Sequence, residues 1–225
     1  MTADEKTAGF MALPGDTEDR REVFARSLAD VVRVLGIEVA AEPEPEPTNG
    51  LTWEHRARAA LRKLWQHGVV LSEEAFDALV KAAVHDPNPS FNRQFVEPAL
   101  NAFGHRRVQA ALLAHLLTGT NPERAGAARA WYWSALDLRM PLVRAEHPAP
   151  ADDGTDVVNE WYEAALREFV HNEHVDVRRC ILPLLPLRRS AYPPELRDLV
   201  DEAVATARSH PDEYIRHRVE HQVGD

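Results

Sequence analysis

Cysteine is almost missing from this chain. Cys180 is the only one in 225 residues, so no intramolecular disulfide can staple the fold. Lysine is scarce as well: Lys6, Lys63 and Lys81 stand alone, and every other basic side chain is arginine. With abundant alanine, that usage is the expectation for a GC-rich bacterial genome. No run of ~18 apolar residues occurs, the length a membrane-spanning helix requires. Residues 1–10 lack the basic-then-apolar order of a secretory signal. A cytoplasmic protein is therefore expected. No glycine-rich phosphate loop, GxSxG or HExxH is present, which leaves no catalytic motif and no cofactor to expect.

What the chain has is acid, proline and helical periodicity. The net charge is −10, with 11 acidic and 5 basic side chains in residues 1–50. Such a balance repels phosphate and disfavours non-specific nucleic-acid binding. The pattern divides the chain into four parts. Residues 1–15 read as disordered. Residues 16–37 read as an amphipathic helix with Phe24, Leu28, Val31, Val32 and Leu35 on one face and Gly36 as its C-cap. Residues 38–50 hold the alternating Glu-Pro run from Glu42 to Pro47, which cannot form a helix and reads as an acidic linker. The helix before it either docks on the body or meets a partner.

Residues 51–225 read as one helix after another, with no convincing strand. Thr52 and Ser72 are candidate N-caps, and Gly68 closes the first of these helices. Asp86-Pro87 breaks the chain, and Asn88-Pro89 is expected to open a helix kinked at Pro98 and ended by Gly104. Asn121-Pro122 is a strong start signal for a helix running through Trp131 and Trp133 towards Leu138. Residues 141–154 read as a loop. Thr155 opens a helix whose Trp161 and Tyr162 are expected in the core. A short helix is expected from about Asp176 to Leu185, and Pro193-Pro194 and Pro211-Asp212 open the last two.

Several of these helices begin alike. Asn121-Pro122-Glu123-Arg124, Val175-Asp176-Val177-Arg178-Arg179 and Pro211-Asp212-Glu213-Tyr214-Ile215-Arg216 each place an acid ahead of arginine. Asp176 and Asp212 lie 36 residues apart, a helical-hairpin spacing. At these residues the chain resembles HEAT-like repeats, of the armadillo-type α-solenoid kind. The resemblance implies an all-α solenoid of about five helical hairpins in a right-handed superhelix. It also implies a ladder of arginines between neighbouring repeats and a surface that binds proteins.

The candidate contact surface is the segment 104–150, net positive within an acidic chain. It carries Arg106, Arg107, Arg124, Arg129, Arg139 and Arg144 around Trp131-Tyr132-Trp133. Aromatic and arginine anchors supply much of the energy at interfaces. Arg106, Arg107, Arg129, Trp131 and Trp133 are therefore the expected partner-binding residues, for a protein acidic at its contact surface. Trp133 and Asp137, four residues apart, also resemble the aromatic–aspartate arrangement of HEAT-like DNA glycosylases. That resemblance implies a cradle for a damaged base, with the aspartate stabilising a cationic sugar. A third reading is a toxin-neutralising protein, in which an acidic helical surface masks a basic toxin. Among eleven histidines, His217 and His221 could face one ion, with His210 and Glu220 near in sequence, as are His171 and His174 beside Glu173 and Asp176. These make only pairs, so no metal site is expected. Cys180 is expected to be a buried structural cysteine.

Overall fold

A computed structural model describes residues 18–39, 52–147 and 155–223. The expected disorder of residues 1–15 and nearly all of the 38–50 linker lie outside these residues. Within them the protein is all-α, with ten α-helices and one short two-stranded ladder. No described helix is long and apolar enough to cross a membrane. The described chain divides into two units. The first holds residues 18–39, 52–112 and 130–147, and the second holds 113–129 and 155–223.

The first unit begins with α1 (Glu18–Val34), which buries Phe24, Leu28, Val31 and Val32 on one face. Its end is a Schellman motif: Ile37 N–H donates to Val32 O (2.9 Å) and Gly36 N–H to Arg33 O (3.1 Å). The left-handed φ of +61° at Gly36 makes that turn accessible. Of the two fates open to this helix, the structure shows docking. α1 lies against α3 (Glu73–His85), and Phe24 meets Phe95 of α4 (Arg93–Phe103) edge-on at 6.2 Å.

α2 (Trp53–His67) supplies Leu61 and Trp65 to the same core, and it supplies Arg58. The Arg58 guanidinium donates to Asp86 Oδ2 at 2.9 Å, with both side chains buried. It also sits 4.5 Å from the Phe24 ring centroid and 5.6 Å from that of Phe95. Asp86 is the C-cap of α3, and its second oxygen accepts the Asn88 N–H at 2.9 Å. One ion pair thus fixes the end of α3, the following turn and the face of α2.

That turn corrects the expected helix start at Asn88-Pro89. The Asn88 side chain accepts the Ser90 N–H (2.9 Å), a local bond that competes with the helix, and α4 begins only at Arg93. A strand, too, was not expected. β1 (Val69–Leu71) and β2 (Val143–Ala145) pair in parallel, Val69 opposite Val143. Each is three residues long, too short for alternation to show in the sequence. Gly68 makes the approach possible: its φ is +84°, and a Cβ there would stand 3.0 Å from Leu142 O.

α5 (His105–Thr118) and α6 (Asn121–Ser134) each contribute residues to both units. α6 is capped by Thr120, one residue earlier than expected, because Glu123 accepts both the N–H and the hydroxyl of Thr120 at 2.7 Å. It stops at Ser134, four residues short of Leu138. The Ser134 hydroxyl donates back to Trp131 O (2.8 Å), and Gln109 Nε2 donates to Ser134 O (3.2 Å), closing the helix end.

The second unit continues with α7 (Thr155–His171), α8 (Val175–Ile181), α9 (Arg197–Arg208) and α10 (Glu213–Val223). Its core includes Leu116, Trp161, Leu166, Phe169, Val177, Ile181, Val200 and Ile215. α8 is shorter than expected: Pro183 has no N–H for the next helical bond, and the chain tightens into a 3-10 turn at Leu182–Leu184. Arginines bond carbonyls at or beyond the ends of the preceding helices. Arg124 donates to Leu117 O (3.3 Å), Arg178 to Phe169 O and Val170 O (both 3.0 Å), and Arg216 to His210 O (2.6 Å) and Pro211 O (2.7 Å). Arg179 forms an ion pair with Asp212, whose Oδ1 accepts the Ile215 N–H (3.1 Å) as the N-cap of α10.

Two predictions test these linkages. Replacing Asp86 with Ala leaves Arg58 buried without its counter-charge and should cost about 3–5 kcal/mol in urea denaturation. The second concerns His210, which is buried and whose Nδ1 accepts the Asp212 N–H at 3.0 Å. Burial, and then the charges of Arg178, Arg216 and Arg179 against the opposing Asp212, hold its pKa below 6.5. The neutral imidazole is therefore the form that stabilises the fold. Stability should be full above about pH 6.5 and should fall as pH drops through the lower folded value. Urea midpoints measured across that range should separate the wild type from His210→Gln, which lacks this part of the slope.

Candidate binding pocket

The first unit contains a pocket of about 570 Å³, walled by three chain segments. The end of α2 contributes Arg62, Trp65 and Gln66. The turn into α4 and its first turns contribute Ser90, Phe91, Arg93, Gln94 and Glu97. The third wall is Arg139-Met140-Pro141-Leu142, just ahead of β2. The volume lies within the range of ligand-binding clefts.

Two of the three walls are pinned by polar bonds. Trp133, half-buried on α6, shares its indole N–H between Pro89 O and Asn92 Oδ1, both at 2.8 Å, and so holds the turn that carries Phe91. Asn101 of α4 holds the third wall: it donates to Leu138 O (3.1 Å) and accepts from the Met140 N–H (2.6 Å). Gly68 and the β1–β2 pair set the far end of that wall, with Val69 N–H donating to Leu142 O at 3.1 Å. Arg58 lies 5.3 Å from the Phe91 ring centroid, which links the turn to the buried ion pair.

The lip of the pocket is apolar and exposed. Phe91 is 49% exposed and Leu142 55%, and these are two of the five large hydrophobic side chains that stand out from the surface among the described residues. Around them are three guanidinium groups. Arg93 pairs with Glu97 at 2.9 Å and lies 5.5 Å from the Trp133 ring centroid. Arg139 pairs with Asp137 at 2.9 Å, and Arg62 is exposed. An exposed apolar lip with convergent arginines matches the composition of protein-contact sites.

The residues expected from the sequence fall in different places. Trp131 is 3% exposed and packs in the core, so it offers no contact surface. Trp133 contributes from behind the pocket. Arg107 leans over the Phe76 ring, 4.1 Å from its centroid, and pairs with Glu73; that hydrogen bond holds the Glu73 carboxyl below its ordinary range. Arg106 is exposed at the start of α5. Arg129, in the second unit, is half-buried and donates to the sulfur of buried Cys180 at 3.8 Å. Asp137 lies beyond the end of α6, so the helical four-residue spacing with Trp133 does not exist. Asp137 is instead an exposed partner of Arg139, whose hydrogen bond lowers its pKa. Trp161 is fully buried. The His217 and His221 rings meet edge-on with Nε2 atoms 3.0 Å apart, and among the described residues no three histidine, cysteine or acidic side chains converge as a metal cluster.

Sequence reasoning missed Arg62, Trp65, Phe91, Arg93, Met140 and Leu142. They come from segments up to 80 residues apart, and no spacing links them. The one usable signal was Phe91, an aromatic residue in the polar run between Asn88 and Gln94.

No family model matches the chain, and no curated protein or solved structure matches it either.

Replacing Trp133 with Phe removes the donor that pins the pocket turn. The change should cost about 1–3 kcal/mol. Backbone hydrogen exchange should quicken at Phe91, Asn92 and Phe95 while the amides of α9 keep their protection.

Proposed function

We propose that the chain is a non-catalytic protein-binding adaptor or regulator of the bacterial cytoplasm, built from degenerate HEAT-like repeats, about five hairpins in a right-handed stack. The repeat reading is supported by the common device at three helix openings. In each, an arginine of the first turn reaches carbonyls at or beyond the end of the preceding helix. It is also supported by the Arg179–Asp212 pair, which joins two openings 36 residues apart in sequence as a repeat ladder would.

The observation that carries the binding reading is the exposed pair Phe91 and Leu142 on a pocket of about 570 Å³, with three arginines around it. Large apolar side chains rooted in a rigid concavity are the form that energetic anchors take, and truncating one commonly costs 2 kcal/mol or more, on the order of a 30-fold loss. The arginines suit a partner that is acidic at its contact surface, which complements this one pocket even though the chain as a whole is acidic.

The test uses the full-length tagged chain in native lysate, with captured proteins quantified by mass spectrometry. Wild type and a Leu117→Ala control should retain one stoichiometric protein. The Phe91→Ala, Leu142→Ala double variant should lose it at least tenfold. Equal recovery by the double variant would remove the pocket from this reading, and nucleic acid as the sole retained species would remove protein binding altogether.

A further inference from the structure

The solvent face of α10 carries two imidazoles whose Nε2 corners converge. His217 and His221 are four residues apart on the helix, so one turn sets them side by side, and both are exposed. Their ring centroids stand 4.3 Å apart, but their Nε2 atoms are only 3.0 Å apart, so the two corners tilt towards a common point. The helix that presents them is held at both ends and along its buried side. Asp212 caps its start through the Ile215 N–H (3.1 Å). At its end Gln222 Nε2 donates to Leu182 O (3.0 Å) and Leu185 O (3.2 Å). Ile215 and Val219 are fully buried on the side away from the two rings. Glu220, the acid nearest to them in sequence, is engaged by Arg208 at 3.0 Å.

The separation of the two nitrogens matches a coordination geometry. An imidazole nitrogen lies about 2.0–2.1 Å from a bound zinc-sized ion. Two such nitrogens at a right angle on one ion are therefore about 2.9–3.0 Å apart, and at the tetrahedral angle about 3.3–3.4 Å. The observed 3.0 Å is the right-angle value of octahedral or square-planar coordination. Without an ion, one ring donates its Nε2–H to the other at this distance. An ion takes that proton's place: the donor ring carries its proton on Nδ1 instead, and both Nε2 lone pairs go to the metal. Two histidines at i and i+4 on one helix face are a known metal-holding pair. We infer that His217 and His221 together chelate one divalent cation of the nickel, copper and zinc class, with water in the remaining coordination positions. Imidazole suits these ions, whereas Mg²⁺ and Ca²⁺ take oxygen ligands. The expectation of no metal site from the sequence rested on the four ligands of a closed structural site. Among the described residues no third side chain converges here, so this site is of the open kind, from which the ion exchanges with solvent. It lies in the second unit and depends on nothing in the protein-binding reading.

The test is isothermal titration calorimetry of the full-length chain, with any affinity tag removed, against nickel chloride in a non-chelating buffer. His217→Gln and His221→Gln should each weaken Ni²⁺ binding at least tenfold. The double variant should fall within about twofold of either single one, because one imidazole alone forms no chelate. His171→Gln, at an exposed histidine of α7, should leave binding unchanged. Mg²⁺ in about 100-fold excess should not compete. Both substituted positions are exposed, so melting curves without nickel should match the wild type. In the wild type the ion clasps adjacent turns and should slow amide exchange in α10, and in neither single variant should it do so. No Ni²⁺ binding up to about 1 mM would overturn the inference. Binding that both single variants retain within threefold would also overturn it and place the ion on other side chains. Loss of binding in one single variant with full retention in the other would reduce the site to a lone imidazole and remove the chelate.

Discussion

The Arg58–Asp86 ion pair is the constraint from which the architecture of the first unit follows. Burying two charges is costly, and the cost is offset only where geometry and further bonds are good. Here the offset is partial, since Arg58 Nη1 is buried without an acceptor. The guanidinium donates to one carboxylate oxygen and lies against the Phe24, Phe91 and Phe95 rings, and the other oxygen accepts a backbone N–H from the next turn. Because Asp86 also ends α3, the pair fixes where that helix stops and in which direction the chain leaves it. The turn that follows carries Phe91 to the pocket lip. A hydrophobic pair of the same volume could fill the space, but it would not specify that exit.

Arginine does the analogous work in the second unit. A guanidinium is a planar fork of donors, whereas an ammonium is a compact, strongly hydrated charge. Arg178 uses the fork to hold two successive carbonyls at the end of α7, and Arg216 bonds two carbonyls ahead of α10. Carbonyls at helix ends have no partner within the helix, and a cation there is also favoured by the helix dipole. A lysine at these positions would supply the charge without bridging two acceptors.

The aromatic triplet on α6 shows where sequence reading of a site stops. Three adjacent rings on a helix must point in different directions, and the structure gives each a different role. Trp131 is buried, Tyr132 is half exposed, and Trp133 is turned inward to donate to Pro89 and Asn92. The positive, aromatic character of the segment was legible, and it does border the pocket through Trp133 and Arg139. The direction of each ring was not legible, because it depends on where α6 stops and on the turn opposite. The same is true of Asp137: its distance from Trp133 in sequence becomes a distance on a helix only if the helix continues, and Ser134 and Gln109 end it first.

The sequence by itself determined the all-α class, most helix positions and several of their caps, since these depend on contacts within a few residues. The Phe24–Leu28–Val31 stripe, Ser72, Gly36 and Gly104 are each read from local periodicity or local backbone conformation. Where a residue made a local bond of its own, as Asn88 and Thr120 do, the boundary moved by only a few positions. The tertiary structure alone decided the parallel β1–β2 pair, the partnership of Arg58 with Asp86, and the meeting of Arg62, Phe91, Arg139 and Leu142 around one cavity. Each joins residues tens of positions apart. Such contacts depend on how helices pack and on the conformation at single points such as Gly68, and a one-dimensional pattern carries no record of either.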